Sequence, residues 1–149
     1  MMFIDTNVFY NFLFETSLTE RASKIFEFDE PLFTSFIVVN ETLYIISRKI
    51  AERKLNIKSY RKFREVVSDS DYEPFIDELT GFFSLLDNLD VTVLRDYQNI
   101  SEVWKLMKNY KLLPNDALIA ATCKHYGIKR IATFDEDFKR VDFLEILEV

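Results

Sequence analysis

Reactive and flexible side chains are scarce in this sequence. It holds one cysteine, one histidine and one tryptophan, with two glycines and three prolines among 149 residues. A lone cysteine forms no internal disulfide and builds no cysteine-based zinc site. A reduced, cytoplasmic setting is the expectation that follows. The lone histidine, His125, stands near the end of a helical pattern and close to Gly127. It reads as a surface residue at the helix's negative end, so no serine–histidine or cysteine–histidine pair is convincing. There is no glycine-rich phosphate loop. No apolar run approaches membrane-spanning length, so no membrane association is expected. The opening Met1-Met-Phe-Ile-Asp5 lacks the basic segment and apolar stretch of a secretory signal. Positive charge is also in deficit, with a formal net charge of -6. That excludes a protein that coats nucleic acid non-specifically, but not an enzyme that grips it through a local basic patch.

What is present is apolar and aromatic. Hydrophobic residues make up 48% and the aromatic content is 15%, with fifteen phenylalanines. This is the composition of one folded domain over residues 1–149 with a full core. Met2 to Ile4 reads as a buried strand, and a helix follows from Thr6 to Glu15. Ser17 and Glu20 have capping-box spacing for a helix from Leu18 to Phe28. Leu32 to Thr34 is a second strand, and Ser35 can cap a helix to Lys54. Helices are expected over Lys58–Val67 and from Pro74 to Asn88. Val91 to Leu94 is a third strand. Asp96 to Tyr110 reads as a helix with Ile100, Val103, Trp104 and Met107 on a core-facing side. Pro114 opens another helix, which Gly127 closes. Arg130 to Thr133 is a fourth strand, Phe134 to Phe138 a loop, and Leu144 to Val149 a fifth strand. Strands separated by helices predict an α/β fold: a mostly parallel sheet of about five strands with helices on both faces.

Some acids break the pattern. Asp5-Thr6-Asn7 interrupts an apolar run where a strand hands over to a helix. In open α/β sheets ligands bind at that carboxyl edge, although Asp5 or Thr6 also suits a helix cap. Glu41 has Ile37, Val38, Tyr44 and Ile45 as its helical neighbours. An unpaired charge on such a stripe costs several kcal/mol, on the order of magnitude, so it needs a partner. Asp116 precedes seven uncharged residues, and Asp135 and Asp137 follow the fourth strand. A helix cap and a solvated loop explain these one at a time. Taken together, Asp5, Glu41, Asp116 and Asp135 can meet at one edge of a doubly wound fold, where their charges repel unless a cation lies between them. Hard oxygen ligands without histidine or thiolate select Mg²⁺ or Mn²⁺.

Four segments, in order, resemble the PIN domains, and among them the VapC-type toxins. They are Met2-Phe-Ile-Asp-Thr-Asn-Val8, Ser35 with Glu41, Asn115-Asp-Ala-Leu-Ile-Ala-Ala-Thr122, and Ile131-Ala-Thr-Phe-Asp-Glu-Asp-Phe138. The resemblance spans the whole chain. It implies that Asp5, Glu41, Asp116 and Asp135 are the catalytic, metal-holding acids. Asp137, Thr6, Asn7 and Thr133 then stand behind them. The implied activity is metal-dependent hydrolysis of structured RNA such as tRNA, by a homodimer silenced by a cognate antitoxin. The stretch Glu65 to Asp90, with eight acids and no Lys or Arg, matches no motif of that family.

Arg48 to Arg64 is a local exception to the negative charge, with eight Lys or Arg and one Glu. It reads either as a solvated helix pair or as a surface that tracks phosphates through Arg48, Lys58, Arg61 and Lys62. Its position after Glu41 favours RNA. Cys123 reads as core. Other functions fit less well. An inert scaffold has no use for the full acid set. A haloacid-dehalogenase phosphatase wants a second Asp two residues after the first, where Asn7 stands. A phospho-receiver wants a Lys after its last strand and an acidic pair near the first. A PIN-type RNA-processing nuclease without a toxin role shares every one of these residues.

Overall fold

A computed structural model of the protein describes Met1–Val149. Five strands form one sheet: β1 (Met2–Ile4), β2 (Leu32–Ser35), β3 (Thr92–Leu94), β4 (Arg130–Ala132) and β5 (Glu145–Ile146). Their order is β3-β2-β1-β4-β5, and all four pairings are parallel. Seven α-helices connect them: α1 (Thr6–Leu13), α2 (Thr19–Ile25), α3 (Phe36–Leu55), α4 (Tyr60–Ser70), α5 (Ile76–Asn88), α6 (Ile100–Tyr110) and α7 (Pro114–Tyr126). Short 3₁₀ turns occupy Glu73–Phe75 and Glu136–Arg140.

The sheet is built outward from β1. Met2, Phe3 and Ile4 point alternately to its two faces, and all three are buried. Helices therefore cover both faces, as a run without polar alternation requires. The chain winds to β2 and β3 on one side of β1, then crosses to β4 and β5 on the other. The carboxyl end of β1 is thus the switch point where such sheets open a crevice. One core of 32 buried residues, including Phe3, Phe9, Phe75, Phe82 and Phe138, fills the space between the layers. No helix is long and apolar enough to cross a membrane.

Several local expectations need correction. Ser17 does not cap α2, which starts at Thr19 after Leu18 without a side-chain cap. Thr16 and Thr19 take the backbone donors instead: the Thr16 hydroxyl accepts from Leu18 N at 3.1 Å and Thr19 Oγ1 from Thr16 N at 2.9 Å. Asp96 does not begin α6. That helix starts at Ile100, behind Asn99, whose side chain accepts from Glu102 N at 2.9 Å.

The Asp96 carboxylate instead caps α3, accepting from Ile37 N at 3.1 and 3.3 Å. Ser35 occupies the N-cap position of α3 but makes no capping bond, and its buried hydroxyl has no partner. The loop expected over Phe134–Phe138 tightens into the 3₁₀ turn, with Asp135 accepting from Asp137 N. The face of Ile100, Val103, Trp104 and Met107 is split: Val103 and Met107 are half-buried against the core, but the other two are not core. Ile100 is 90% and Trp104 55% exposed. The helix is rotated so that Leu106 is its buried residue, and the helix's first residue, Ile100, is left to solvent.

The cross-chain cap sets the first test. Asp96→Ala removes a helix cap and should cost about 1 kcal/mol. Ser35→Ala deletes a hydroxyl that bonds nothing and should be close to neutral. Urea unfolding midpoints of the two variants check the order. Equal losses would return the cap to Ser35.

Candidate active site

The residues after β1 and β4 are stitched together before any ligand is considered. Asp5 N donates to Ala132 O at 3.1 Å, which continues the β1–β4 pairing. Asp5 Oδ1 accepts from Thr6 N at 2.8 Å, and Oδ2 accepts from the Thr133 hydroxyl at 2.7 Å. Asp5 is therefore the cap of α1, and the same residue lines the cleft described below. Asn7 spans the same gap. Its amide donates to Thr133 Oγ1 at 3.2 Å and its carbonyl accepts from Phe134 N at 3.0 Å.

Glu41 enters from α3. Its Oε2 accepts from the Thr6 hydroxyl at 2.8 Å, and its Oε1 from the Asn115 side-chain amide at 2.7 Å. The partner its charge requires is thus a pair of neutral donors, not a Lys or Arg. Asn115 was missed as a site residue in the sequence, although it stands beside Asp116 in the most specific motif. Asp116 lies in the first turn of α7, where the helix dipole favours a carboxylate.

Asp5, Glu41, Asp116 and Asp135 all line one cleft of about 470 Å³, together with Thr6, Asn7, Tyr10, Tyr44 and Ile45. At its Asp116–Asp135 wall, carboxylate oxygens of those two residues and of Asp137 lie within 4.8 Å of one another. Asp137 therefore stands beside the other two, not behind them. Asp5 and Glu41 line the same cleft outside that 4.8 Å group, and each of their oxygens accepts one hydrogen bond, which leaves a lone pair free on each. Arg140, also missed in the sequence, steadies the group. It pairs with Asp137 at 3.0 Å and donates to the Tyr110 and Lys111 carbonyls at 2.9 and 3.0 Å.

The charges are frustrated. Asp5 is only 5% exposed. Burial pushes its pKa from 3.8 to about 7, with Asp116 and Glu41 adding repulsion, although the Thr133 and Thr6 bonds oppose the rise. Asp116 rises from 3.8 to about 6, first through burial and then through Asp135, Glu41 and Asp137. A site that holds its acids near neutrality in this way has a functional candidate's electrostatics. Cys123 is buried behind Asp5, and burial raises its thiol far above the ordinary value, which makes it an inert core residue. His125 is exposed and stacks on Tyr97 with ring centroids 4.2 Å apart.

The basic run divides on inspection. Arg48 donates to the Tyr44 hydroxyl at 2.9 Å and to Lys58 O at 3.0 Å. Arg61 pairs with Glu65 at 3.5 Å, Lys54 with Glu78, and Arg53 lies over the Phe14 ring. Lys58 and Lys62 make no ion pair. Phe63 is buried while Tyr60 is exposed. The acids of the Glu65–Asp90 stretch are mostly solvent-facing, around the buried Phe75, Phe82 and Leu86.

Comparison with known proteins agrees with this geometry. The family model described as "PIN domain" matches residues 2–144. Ribonuclease VapC2 of Methanocaldococcus jannaschii is 35% identical, with 99% of this chain and 93% of that protein covered. Ribonuclease VapC6 of the same organism is 30% identical, with 99% and 96% covered. Among solved structures, Mycobacterium tuberculosis VapC20, described as a sarcin-ricin loop cleaving toxin, superposes with a TM-score of 0.67 at 16% identity, covering 97% of this chain and 98% of that one. VapBC2 of Rickettsia felis, bound to a promoter DNA fragment, gives 0.57 at 14%, covering 99% and 98%. The chain belongs to the PIN-domain family and, within it, to the VapC ribonucleases.

Proposed function

We propose that the protein is an Mg²⁺- or Mn²⁺-dependent endoribonuclease that hydrolyses structured RNA, tRNA being one such substrate, as the toxin of a toxin–antitoxin pair. The observation that carries this is the convergence of the Asp116, Asp135 and Asp137 oxygens at the wall of the cleft that Asp5 and Glu41 also line. Three carboxylates at that spacing form an all-oxygen donor set that fits a hard divalent cation. Asp116, Asp135 and Asp137 would hold it, with Asp5 and Glu41 at its flank. When bound, such an ion polarises a phosphoryl oxygen and makes a nearby water a stronger nucleophile.

The chain's own groups supply the rest. Thr6 and Asn115 fix Glu41 by one hydrogen bond to each oxygen. Thr133 and Thr6 N fix Asp5. With their side chains already aligned, these acids need no reorganisation when a phosphodiester arrives. Without a cation, Asp5 and Asp116 hold protons up toward neutral pH, and a bound ion would favour their ionised forms, so binding it releases protons. Lys58 and Lys62 offer unpaired charge to the RNA backbone, and Arg48 and Arg61 add theirs from within their existing contacts.

A cognate antitoxin is the proposed inhibitor. Support comes from the toxin–antitoxin complexes among the structural neighbours, including one from Klebsiella pneumoniae with a TM-score of 0.60. A homodimer is supported by the apolar surface that Ile100 and Trp104 leave uncovered beside Pro114. The cytoplasm, where RNA substrates and a reduced thiol coexist, is the proposed compartment.

Three outcomes are expected. Asp116→Asn and Asp135→Asn should each lower RNA cleavage on the order of 100-fold or more. Thr6→Val, which only frees one Glu41 oxygen, should cost about 10- to 100-fold. EDTA should stop the parent enzyme and Mn²⁺ restore it. Gel-resolved cleavage of total RNA checks all of these, and activity that persists in EDTA overturns the proposal.

The raised carboxyls set a pH dependence of stability. Both folded-state pKa values lie above the ordinary 3.8, so the folded state holds extra protons between about 4 and about 7. The stability they confer is complete below the unfolded pKa and is lost as pH rises through the folded values. In EDTA, unfolding free energy should therefore fall by roughly 1–3 kcal/mol from pH 5 to pH 8. Asp5→Asn should flatten that slope, as chemical denaturation at both pH values would reveal.

The basic surface gives a further test. Replacing Lys58 and Lys62 by alanine should weaken RNA binding and reduce the log–log salt slope by about 0.7–0.9 per lost phosphate contact. An unchanged slope removes these lysines from the RNA path.

A further inference from the structure

Tyr44 has a placement that neither the core nor the acid cluster explains. It stands one helical turn after Glu41 on α3, and Arg48 follows one turn later. At 1.5 Å per residue, Tyr44 lies about 4.5 Å and Arg48 about 10.5 Å along the axis from Glu41. The cleft of the acids has a neighbour of about 460 Å³ whose charged lining is Arg48, Lys49 and Lys58 with one acid, Glu52. The two share Tyr10, Tyr44 and Ile45 as walls. One trough thus runs from the carboxylates, past two tyrosines, to the cations.

The Tyr44 ring is fixed and yet wet. Its hydroxyl accepts from Arg48 at 2.9 Å, and its ring meets Phe63 edge-on with centroids 6.0 Å apart and planes at 90°. Arg48 is itself tied to Lys58 O and lies 5.3 Å from the Phe63 ring centre. Despite these restraints Tyr44 remains 48% exposed, while Phe63 beneath is buried. An aromatic that served only the core would bury its faces. A rigid, half-exposed ring between phosphate-seeking cations and hydrolytic acids has the chemistry of a base-stacking platform.

We propose that Tyr44 stacks against an unpaired nucleobase of the RNA adjoining the bond to be cut, and that Arg48 is the positioning residue that holds the ring. The inference rests on the ribonuclease reading and makes its substrate more specific. The base must be splayed from a loop or single strand, because in a duplex both its faces are covered by neighbours.

The test uses the full chain carrying Asp116→Asn, so that RNA is bound without being cut. Two probes are compared by fluorescence anisotropy: a short single-stranded oligoadenylate, and an abasic ribose-phosphate chain of equal length and charge. Adding Tyr44→Leu, which keeps apolar bulk over Phe63 but no flat ring, should weaken oligoadenylate binding about 5- to 150-fold. It should leave abasic binding and the salt slope unchanged. Tyr44→Phe loses the hydroxyl bond but keeps the ring and the Arg48 guanidinium 5.8 Å from its centre, so it should retain most of the affinity, whereas Arg48→Gln loses both contacts and should lose base preference together with some phosphate binding.

Equal losses on both probes assign Tyr44 a structural role and overturn the inference. No loss on either also overturns it and leaves the ring to a protein contact. If the parent binds neither probe while the protein with Asp116 intact still cleaves total RNA, stacking on an unpaired base is overturned; if that protein cleaves no RNA, it is the ribonuclease reading that fails. A Tyr44→Leu protein that does not unfold cooperatively is replaced in the same comparison by Tyr44→Phe and Arg48→Gln. Loss of base preference in Arg48→Gln then supports the proposal, and retention rejects it.

Discussion

Burying the Asp5 carboxyl at the end of the central strand is the constraint on which the molecule turns. A carboxylate taken out of water costs several kcal/mol, on the order of magnitude, unless something replaces the hydration. Here the replacements are two donors, Thr6 N and the Thr133 hydroxyl. One belongs to the start of α1 and the other to the residue after β4, so the hydrogen bonds that tolerate the acid also fix where those elements begin and end. Residual strain survives as a raised pKa. The fold supplies the burial and the neighbouring acids supply the repulsion. A cation in the cleft would relieve both.

The same logic extends outward through neutral donors. Glu41 is held by a hydroxyl and an amide, not by an arginine. A salt bridge would have cancelled its charge, whereas these partners orient it and leave its field directed into the cleft. Arg140 is the nearest full counter-charge, and it sits at the rim, on Asp137, with its remaining donors spent on the carbonyls that end α6. The acids are thus held by hydrogen bonds and an ion pair from the chain itself.

The sheet and the acids were legible in the sequence because both depend on short-range pattern. Met2 to Ile4 is an apolar run cut by Asp5, and Arg130 to Thr133 repeats the form. Apolar pattern placed the first four strands within a residue, but the fifth, expected over Leu144 to Val149, is only Glu145–Ile146. Longer-range features left no such trace. Asp96 looked like the start of its own helix, but its carboxylate serves Ile37, 59 positions earlier, and no local rule marks that pairing. Ser17 matched a capping box and lost to the threonines around it. Trp104 lay on a regular apolar stripe, but a stripe does not say whether a neighbour covers it, and here the rotation of α6 chose Leu106. Arg48 carried charge in the sequence, but only its geometry reveals that it clamps a tyrosine.

The parallel pairing of β1 with β4 has a consequence in time. The acids are spread over nearly the full chain, at residues 5, 41, 116, 135 and 137, and β4 meets the opening strand only across a separation of about 128 residues. Domains form as the chain emerges from the ribosome, amino end first. A growing polypeptide can therefore order α1 through α5 and still lack the second wall of its cleft. Thr133 must arrive before Asp5 has its full set of hydrogen bonds. Competence waits on the segment from Arg130 to Asp137, and a copy that stops short of it has Asp5 and Glu41 without Asp135 and Asp137.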